Sequence, residues 1–219
     1  MAVERTARVA KLIDHAPDTR SLVLALGRDH GFSFRPGQFL SCLLPVGGER
    51  IIRPYSIASD AARPDELEIL FNLVPDGPGS RHLFGLRAGD PVDFTGPWGT
   101  FTLDEPPDTP LVFIAQNTGI APIRSMLLHA AGRTRRPLRL VYGTHLRVYH
   151  EELARLPGVT VEVVDPDRLV EETQRRFVDA DADRSRHFWV CGVGPIVYTL
   201  RDRLRGAGYA RRTVQYEKW

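Results

Sequence analysis

The pattern of apolar residues changes abruptly at an acidic, proline-rich stretch in the middle of the chain, residues 104–108. Before this stretch, short apolar runs alternate with turn residues. After it, apolar runs alternate with helical patterns. The chain has 219 residues, which is enough for two domains of about 100 residues each. The pattern therefore predicts two domains, residues 1–104 and 108–219.

The first half has the pattern of a small antiparallel barrel. In one apolar run, Leu67, Ile69 and Phe71 recur at every second position, as in a strand with one buried face. Several short strands separated by glycine and proline turns are typical of an antiparallel β-barrel. The predicted strands are residues 7–13, 21–26, 38–44, 67–74 and 91–94.

The second half predicts a parallel sheet covered by helices. Strands that are apolar throughout and alternate with helices form doubly wound sheets. The predicted strands are residues 111–115, 138–142, 159–164, 188–191 and 213–216, and the predicted helices are residues 122–131, 149–156 and 196–205. The expected fold class is therefore β plus α/β: an antiparallel Greek-key β-barrel followed by a Rossmann-like doubly wound parallel α/β sheet.

The composition narrows the function class. A formal net charge of +2 gives no reason to expect binding to nucleic acid or to a membrane surface. No apolar run approaches the roughly 20 residues of a membrane span, and the N-terminus lacks an apolar signal core. Two cysteines are too few for an iron–sulfur cluster, and the histidines lack the spacing of metal ligands. We expect a cytoplasmic protein without a metal site.

One short segment combines three groups that suit a flavin nucleotide. In Arg53-Pro54-Tyr55-Ser56, the guanidinium can hold a phosphate, the phenol ring can stack on a flat ring system, and the hydroxyl can hydrogen-bond to a ring edge. The segment lies between two predicted strands, so an extended chain would present these groups. It predicts flavin binding by the first domain.

The unusual residues of the second domain fall where ligands bind in open parallel sheets, at the carboxyl ends of the strands. Thr118 and Gly119 directly follow a predicted strand and open a helix, where free N–H groups and the helix dipole favour a phosphate. Cys191, Gly192 and Gly194 lie in the same way between a strand and a helix. These turns predict a nucleotide site at this edge.

Four motifs follow one another along the chain: Arg53-Pro54-Tyr55-Ser56, Asn117-Thr118-Gly119-Ile120-Ala121-Pro122, Cys191-Gly192-Val193-Gly194-Pro195 and Glu217-Lys218-Trp219. Together they resemble the ferredoxin–NADP reductase superfamily. The resemblance covers essentially the whole chain and is nearest in layout to two-domain ferredoxin or flavodoxin reductases. It implies an FAD-dependent NAD(P)H oxidoreductase with the flavin in a cleft between a barrel that binds FAD and a Rossmann-like domain that binds NAD(P)H.

For the flavin, the resemblance implies that Arg53 holds the phosphates and that the neighbouring Pro54 also belongs to the cofactor-binding segment. The segment containing Gly77, Gly79 and Ser80 would hold them from a second side. Tyr55 would stack on one face of the flavin. Residues 96–101 match the turn that closes the family's barrel and are expected to be structural.

At the reacting edge, four candidate catalytic residues follow from the resemblance: Ser56, Cys191, Glu217 and Trp219. Ser56 would hydrogen-bond the flavin, and Glu217 would hydrogen-bond near it or relay a proton. The ring of Trp219 would cover the far face of the flavin and yield to nicotinamide. Cys191 would lie beside the nicotinamide.

For the nucleotide, the resemblance implies a grip by Thr118, Gly119 and Pro122, with Gly192 and Gly194 letting the cofactor approach closely. The family usually has glycine where this chain has Asn117. An asparagine tolerates positive φ better than most residues, although its side chain can crowd a pyrophosphate.

The choice between NADH and NADPH stays open. Asp165 lies near the place where NADPH-specific relatives have a basic residue for the 2′-phosphate. Arg168 is near enough in sequence to compensate for this acid.

The electron acceptor also stays open. A small redox protein such as ferredoxin or flavodoxin is favoured, because the Glu-x-aromatic terminus resembles that branch of the superfamily. The alternatives are a reductase for free flavin and the separate reductase component of an oxygenase. A further alternative is a non-enzymatic module that binds flavin or nucleotide. Asn117 is the one residue that supports it.

Overall fold

The computed structural model describes residues 3–27, 30–180 and 182–219. The chain divides into two compact units, Met1–Thr102 and Leu103–Trp219. Each unit contains its own cluster of buried apolar side chains.

The first unit is an antiparallel sheet of six strands in the order β4-β3-β6-β1-β2-β5. Ile57, which directly follows β4, forms a bridge with Ile69 of β5 and so joins the two ends of the sheet. This barrel-like arrangement confirms the predicted antiparallel barrel. The elements are β1 (Glu4–Ala16), β2 (Thr19–Ala25), β3 (Phe39–Val46), β4 (Glu49–Ser56), β5 (Glu66–Asn72), α1 (Pro78–Gly85) and β6 (Pro91–Trp98).

The strands of the first unit differ in how deeply their side chains are buried. Leu22, Leu67 and Phe94 are fully buried, because their side chains form part of the apolar core of this unit. β4 lies at the end of the strand order and is mostly exposed. The fold thus presents the segment from Arg53 to Ser56 at the rim of the unit.

The second unit is a parallel sheet of five strands in the order β11-β10-β7-β8-β9. It confirms the predicted α/β sheet. Every residue of β7 is buried, as expected for the middle strand. The elements are β7 (Leu111–Gln116), α2 (Ile120–Ala130), β8 (Leu138–Gly143), α3 (His150–Ala154), β9 (Val159–Val164), α4 (Leu169–Gln174), β10 (His187–Gly192), α5 (Gly194–Gly206) and β11 (Val214–Lys218).

The helix α4 was not predicted. It continues into one π-helical turn, Arg175–Asp179. Leu169, Thr173 and Phe177 are its buried residues, four positions apart. Their apolar signal is weak, because one of the three is polar and the residues between them are largely charged. No helix in the described residues is long and apolar enough to cross a membrane.

Candidate functional site

In the first unit, β4 carries the predicted flavin motif. Arg53 and Pro54 are exposed, whereas Tyr55 and Ser56 are partly buried. The Tyr55 ring packs edge-on against Phe71 of β5, with 5.6 Å between the ring centroids. Packing against the core holds the Tyr55 ring in place. Part of the ring stays accessible, because β4 lies at the rim of the unit.

The helix α1 brings the second predicted flavin segment close to this motif. A methyl group built on Gly79 would lie 3.0 Å from Cγ of Arg53 and 3.3 Å from Cδ1 of Leu44. A larger residue at position 79 would require Arg53 and Leu44 to shift by a few tenths of an ångström. The structure thus brings together Arg53 and the glycine segment, which are separated in sequence. The N–H groups at the start of α1 and the guanidinium form a set of donors suited to phosphate.

The hydroxyl of Ser80 is engaged within its own loop. Ser80 is 7% exposed, and its Oγ accepts from the Val74 N–H and donates to the Gly77 carbonyl, each at 3.0 Å. A methyl group on Gly77 would lie 2.7 Å from Cβ of Val74, so this loop is too tight for a side chain there. Ser80 shapes the segment, and its contact with a flavin phosphate stays a prediction.

Burial raises the pKa of the Tyr55 phenol to about 12, from an ordinary value of 10.0. The unfolded chain ionises at the ordinary value, so this group stabilises the fold below pH 10. That contribution is lost as the pH rises towards 12. We expect the free energy of unfolding to fall less over this range in Tyr55→Phe than in the wild type, as measured by urea denaturation. Parallel curves for the two proteins would contradict a buried phenol.

In the second unit, the turn after β7 meets the end of β10. A methyl group on Gly119 would lie 2.5 Å from the carbonyl oxygen of Cys191 and 3.1 Å from the nitrogen of Gly192. The two predicted nucleotide segments are therefore in direct backbone contact. Asn117 has a φ of 48°, the left-handed conformation that asparagine tolerates. The Asn117 side chain is exposed, Thr118 is partly buried, and Pro122 is buried in the first turn of α2.

The thiol of Cys191 is neutral at physiological pH. It is 2% exposed, and burial raises its pKa well above the ordinary value, with a further contribution from the nearby carboxylate of Glu217. Cys191 and Glu217 lie opposite each other in the β10–β11 register. A buried neutral thiol suits an apolar contact with a ring and does not suit a nucleophile.

The C-terminal segment joins the same edge. The Trp219 N–H donates to the Gly192 carbonyl at 3.2 Å, while its residue is 56% exposed. A methyl group on Gly194 would make ordinary contact with Lys218, at 3.6 Å from its Cδ. The structure thus brings together the turns after β7 and β10 and the chain end. The stacking of Trp219 on a flavin stays a prediction.

Gln116 also lies at this edge, although it was not among the predicted site residues. Its Oε1 accepts from the Val193 N–H at 3.2 Å. The available signal was a polar residue at the end of a fully apolar strand. A polar residue in this position is typical of the start of a loop. Its burial depends on β10, which is distant in sequence.

The acidic character at the end of β9 is only partly offset. The Oδ1 of Asp165 accepts a hydrogen bond from the Asp167 N–H at 2.9 Å. The residue is nevertheless exposed to solvent. Arg168 forms ion pairs with Glu171 and Glu172, each at 3.4 Å. The arginine that could compensate for Asp165 is therefore shared with two other carboxylates.

Across residues 3–27, 30–180 and 182–219, no group of three or more histidine, cysteine, aspartate or glutamate side chains is placed to hold a metal ion.

The known proteins that this chain resembles are FAD-binding oxidoreductases and reductases. The sequence model described as "Oxidoreductase FAD-binding domain" matches residues 6–103. The chain is 28% identical to ferredoxin–NADP reductase B of Sorangium cellulosum over 97% of its own length and 96% of that protein. It is 33% identical to the reductase subunit of the aromatic O-demethylase of an Amycolatopsis species, over 98% of its own length and 69% of that protein.

The fold is shared with solved structures. A ferredoxin–NADP+ reductase from Neisseria gonorrhoeae with bound FAD and NADP superposes with a TM-score of 0.86 at 20% identity, over 100% of this chain and 99% of that one. Other relatives are longer: the chain spans 62% of the reductase component of propane 2-monooxygenase from Rhodococcus jostii.

Proposed function

This chain belongs to the ferredoxin–NADP reductase superfamily, and on that premise we propose that it passes electrons from NAD(P)H through FAD to a separate redox protein. It is an FAD-dependent oxidoreductase. The observation that carries the proposal is the meeting of three chain segments at the carboxyl edge of the parallel sheet, where Gly119 and Trp219 both contact the turn after Cys191. This is the edge at which nucleotides bind in open α/β sheets.

The residues of the first unit fit FAD. The Arg53 Nη1 donates to the carbonyl of its neighbour Ile52 at 2.8 Å, and the exposed guanidinium has further N–H groups for phosphate. The N–H groups at the start of α1 add donors on the Gly79 side. Tyr55 offers a ring anchored by Phe71. Ser56, at the end of β4, would hydrogen-bond the ring edge.

The second unit would bind and orient NAD(P)H. When bound, FAD accepts a hydride from NAD(P)H and can release electrons singly. Thr118, Gly119 and Pro122 would hold the diphosphate at the start of α2. The neutral thiol of Cys191 would exclude water beside the nicotinamide, and Glu217 would hold a hydrogen bond or a proton nearby. The exposed ring of Trp219 would cover the flavin until nicotinamide replaces it.

A small redox protein such as ferredoxin or flavodoxin is the acceptor we propose. The support is the match to a ferredoxin–NADP reductase over 96% of that protein's length. A second candidate is the reductase component of an oxygenase. It is favoured by the higher identity, 33%, to the reductase subunit of an aromatic O-demethylase.

The first test is the absorbance spectrum of the purified protein, followed by anaerobic addition of NADH and then NADPH. We expect a yellow protein that bleaches, and reoxidation by ferredoxin or flavodoxin that is faster than by free flavin. A colourless protein that oxidises NAD(P)H only with added flavin would favour a flavin reductase. A yellow protein that neither nucleotide bleaches would contradict the proposed reaction.

We expect NADH to be the better donor. The exposed carboxylate of Asp165 repels a 2′-phosphate, and Arg168 is shared with two glutamates. In Asp165→Asn, which keeps the acceptor for the Asp167 N–H, the ratio of kcat/KM for NADH to that for NADPH should fall about tenfold, because one repulsive charge is removed. Steady-state kinetics with an artificial acceptor measure this ratio. Equal use of both donors by the wild type would contradict the assignment.

A further inference from the structure

A buried amide side chain lies at the centre of the carboxyl edge. Gln116 is the last residue of β7 and is 7% exposed. It is paired with Gly143 of β8, and Ala115 before it is paired with Cys191 of β10. Burying an amide costs free energy unless its oxygen and nitrogen find partners. The amide oxygen and the amide nitrogen of Gln116 therefore each need a partner.

The oxygen holds the turn that opens α5. Oε1 accepts from the Val193 N–H at 3.2 Å, and the α5 start has no side-chain cap of its own. A methyl group on Gly192 would lie 2.8 Å from Cβ of Gln116, so the side chain lies directly on Gly192. Gln116 thus fixes the Gly192–Gly194 turn from the neighbouring strand.

Among the described residues, the nitrogen has no such partner. An N–H can donate only to the oxygen of a carboxamide, so the contact with Val193 sets the orientation of the amide and directs Nε2 away from that turn. Nowhere in the described part of the chain does Nε2 find an acceptor, and it is not among the buried polar atoms left without a partner. Nε2 therefore reaches the surface of this edge with two N–H donors available.

These donors lie between the segments proposed to bind NAD(P)H. The Asn117–Gly119 turn directly follows Gln116, and Gly192 beside it accepts the Trp219 N–H. We propose that Gln116 is a positioning residue for NAD(P)H: Nε2 donates to an acceptor oxygen in the nicotinamide half of the dinucleotide, and Oε1 holds the turn against which that half lies. The inference rests on the proposed function and adds a residue to it.

The test is calorimetric titration of the FAD-loaded protein with NAD+, with NADP+ and with ADP, which lacks the nicotinamide half. Gln116→Glu keeps an acceptor for Val193 but loses the N–H donors. It should raise the Kd for NAD+ about tenfold more than the Kd for ADP, because the new carboxylate repels the diphosphate of both ligands but only NAD+ loses the hydrogen bond. Gln116→Met removes both the acceptor for Val193 and the N–H donors. It should therefore weaken NAD+ binding and also lower the Tm. Gln215→Met, on the exposed side of β11, is the matched control and should change neither.

The outcomes separate the inference from the function on which it rests. Unchanged NAD+ binding by Gln116→Glu would overturn the inference. So would an equal weakening of NAD+ and ADP, because the contact would then lie outside the nicotinamide half. A wild-type protein that binds neither NAD+ nor NADP+ would instead overturn the proposed function, and the role of Gln116 with it.

Discussion

Gly119→Ala is expected to lose most of its activity with NAD(P)H. The added methyl group would lie 2.5 Å from the carbonyl oxygen and 2.8 Å from the carbonyl carbon of Cys191. Both are backbone atoms of a central strand, so α2 has to move away from β10. We expect a destabilisation of about 1–3 kcal/mol and, because the nucleotide turn is displaced, a fall of about 100-fold in kcat/KM. Steady-state kinetics and urea denaturation measure the two effects.

Gly206→Ala is the matched control. Gly206 ends α5 in the same unit, and a methyl group there meets no atom within 4 Å. This substitution should leave activity unchanged and leave stability unchanged or slightly higher, because alanine restricts the unfolded chain. If Gly119→Ala behaves like Gly206→Ala, the close contact between the turns after β7 and β10 is not part of the working protein.

Arg53→Ala is expected to lose FAD. The stem of the exposed Arg53 side chain lies against the start of α1, and no other residue proposed to hold the phosphates carries a positive charge. Losing charge-assisted hydrogen bonds to phosphate should raise the Kd for FAD about 100-fold. Fluorescence titration of the apoprotein with FAD measures this effect. The Tm of the apoprotein should not change, because the side chain is exposed.

Two further variants test this assignment. Arg53→Lys keeps the charge but loses the planar fork, so its Kd for FAD should lie between those of the wild type and Arg53→Ala. Arg87→Ala removes an exposed arginine of the same unit that lies outside the site and should bind FAD normally. Normal FAD binding by Arg53→Ala would remove Arg53 from the phosphate site.

Most of the fold could be predicted from the sequence, because its signals are local. The strand predicted at residues 159–164 is β9 (Val159–Val164), and the one at residues 111–115 is one residue shorter than β7. Where the signal is weak, the prediction failed. The helix α4 buries Leu169 and Thr173 among charged residues, so its apolar period was not visible. In the segment of β4, exposed residues on both faces hid the strand, and only an extended chain was predicted.

The positions of the candidate site segments could also be predicted, but not their contacts. That Thr118 and Gly119 follow a strand is visible in the sequence. That Gly119 touches Cys191 depends on β7 and β10 being neighbours, although β8 and β9 lie between them in the chain. Gln116 was missed for the same reason, since its hydrogen bond crosses to Val193. The engagement of Ser80 within its loop depends on the tight path around Gly77 and likewise left no sequence signal.

The burial of both cysteines has a consequence for oxidative damage. Reduced flavins leak electrons to oxygen and generate peroxide, which attacks thiolates far faster than thiols. Cys42 is 0% exposed, and burial raises its pKa to about 12, while the pKa of Cys191 is raised by burial and by Glu217. Both sulfur atoms are therefore protonated and shielded under working conditions. The cysteines are protected from the side product that the flavin chemistry of this protein would generate.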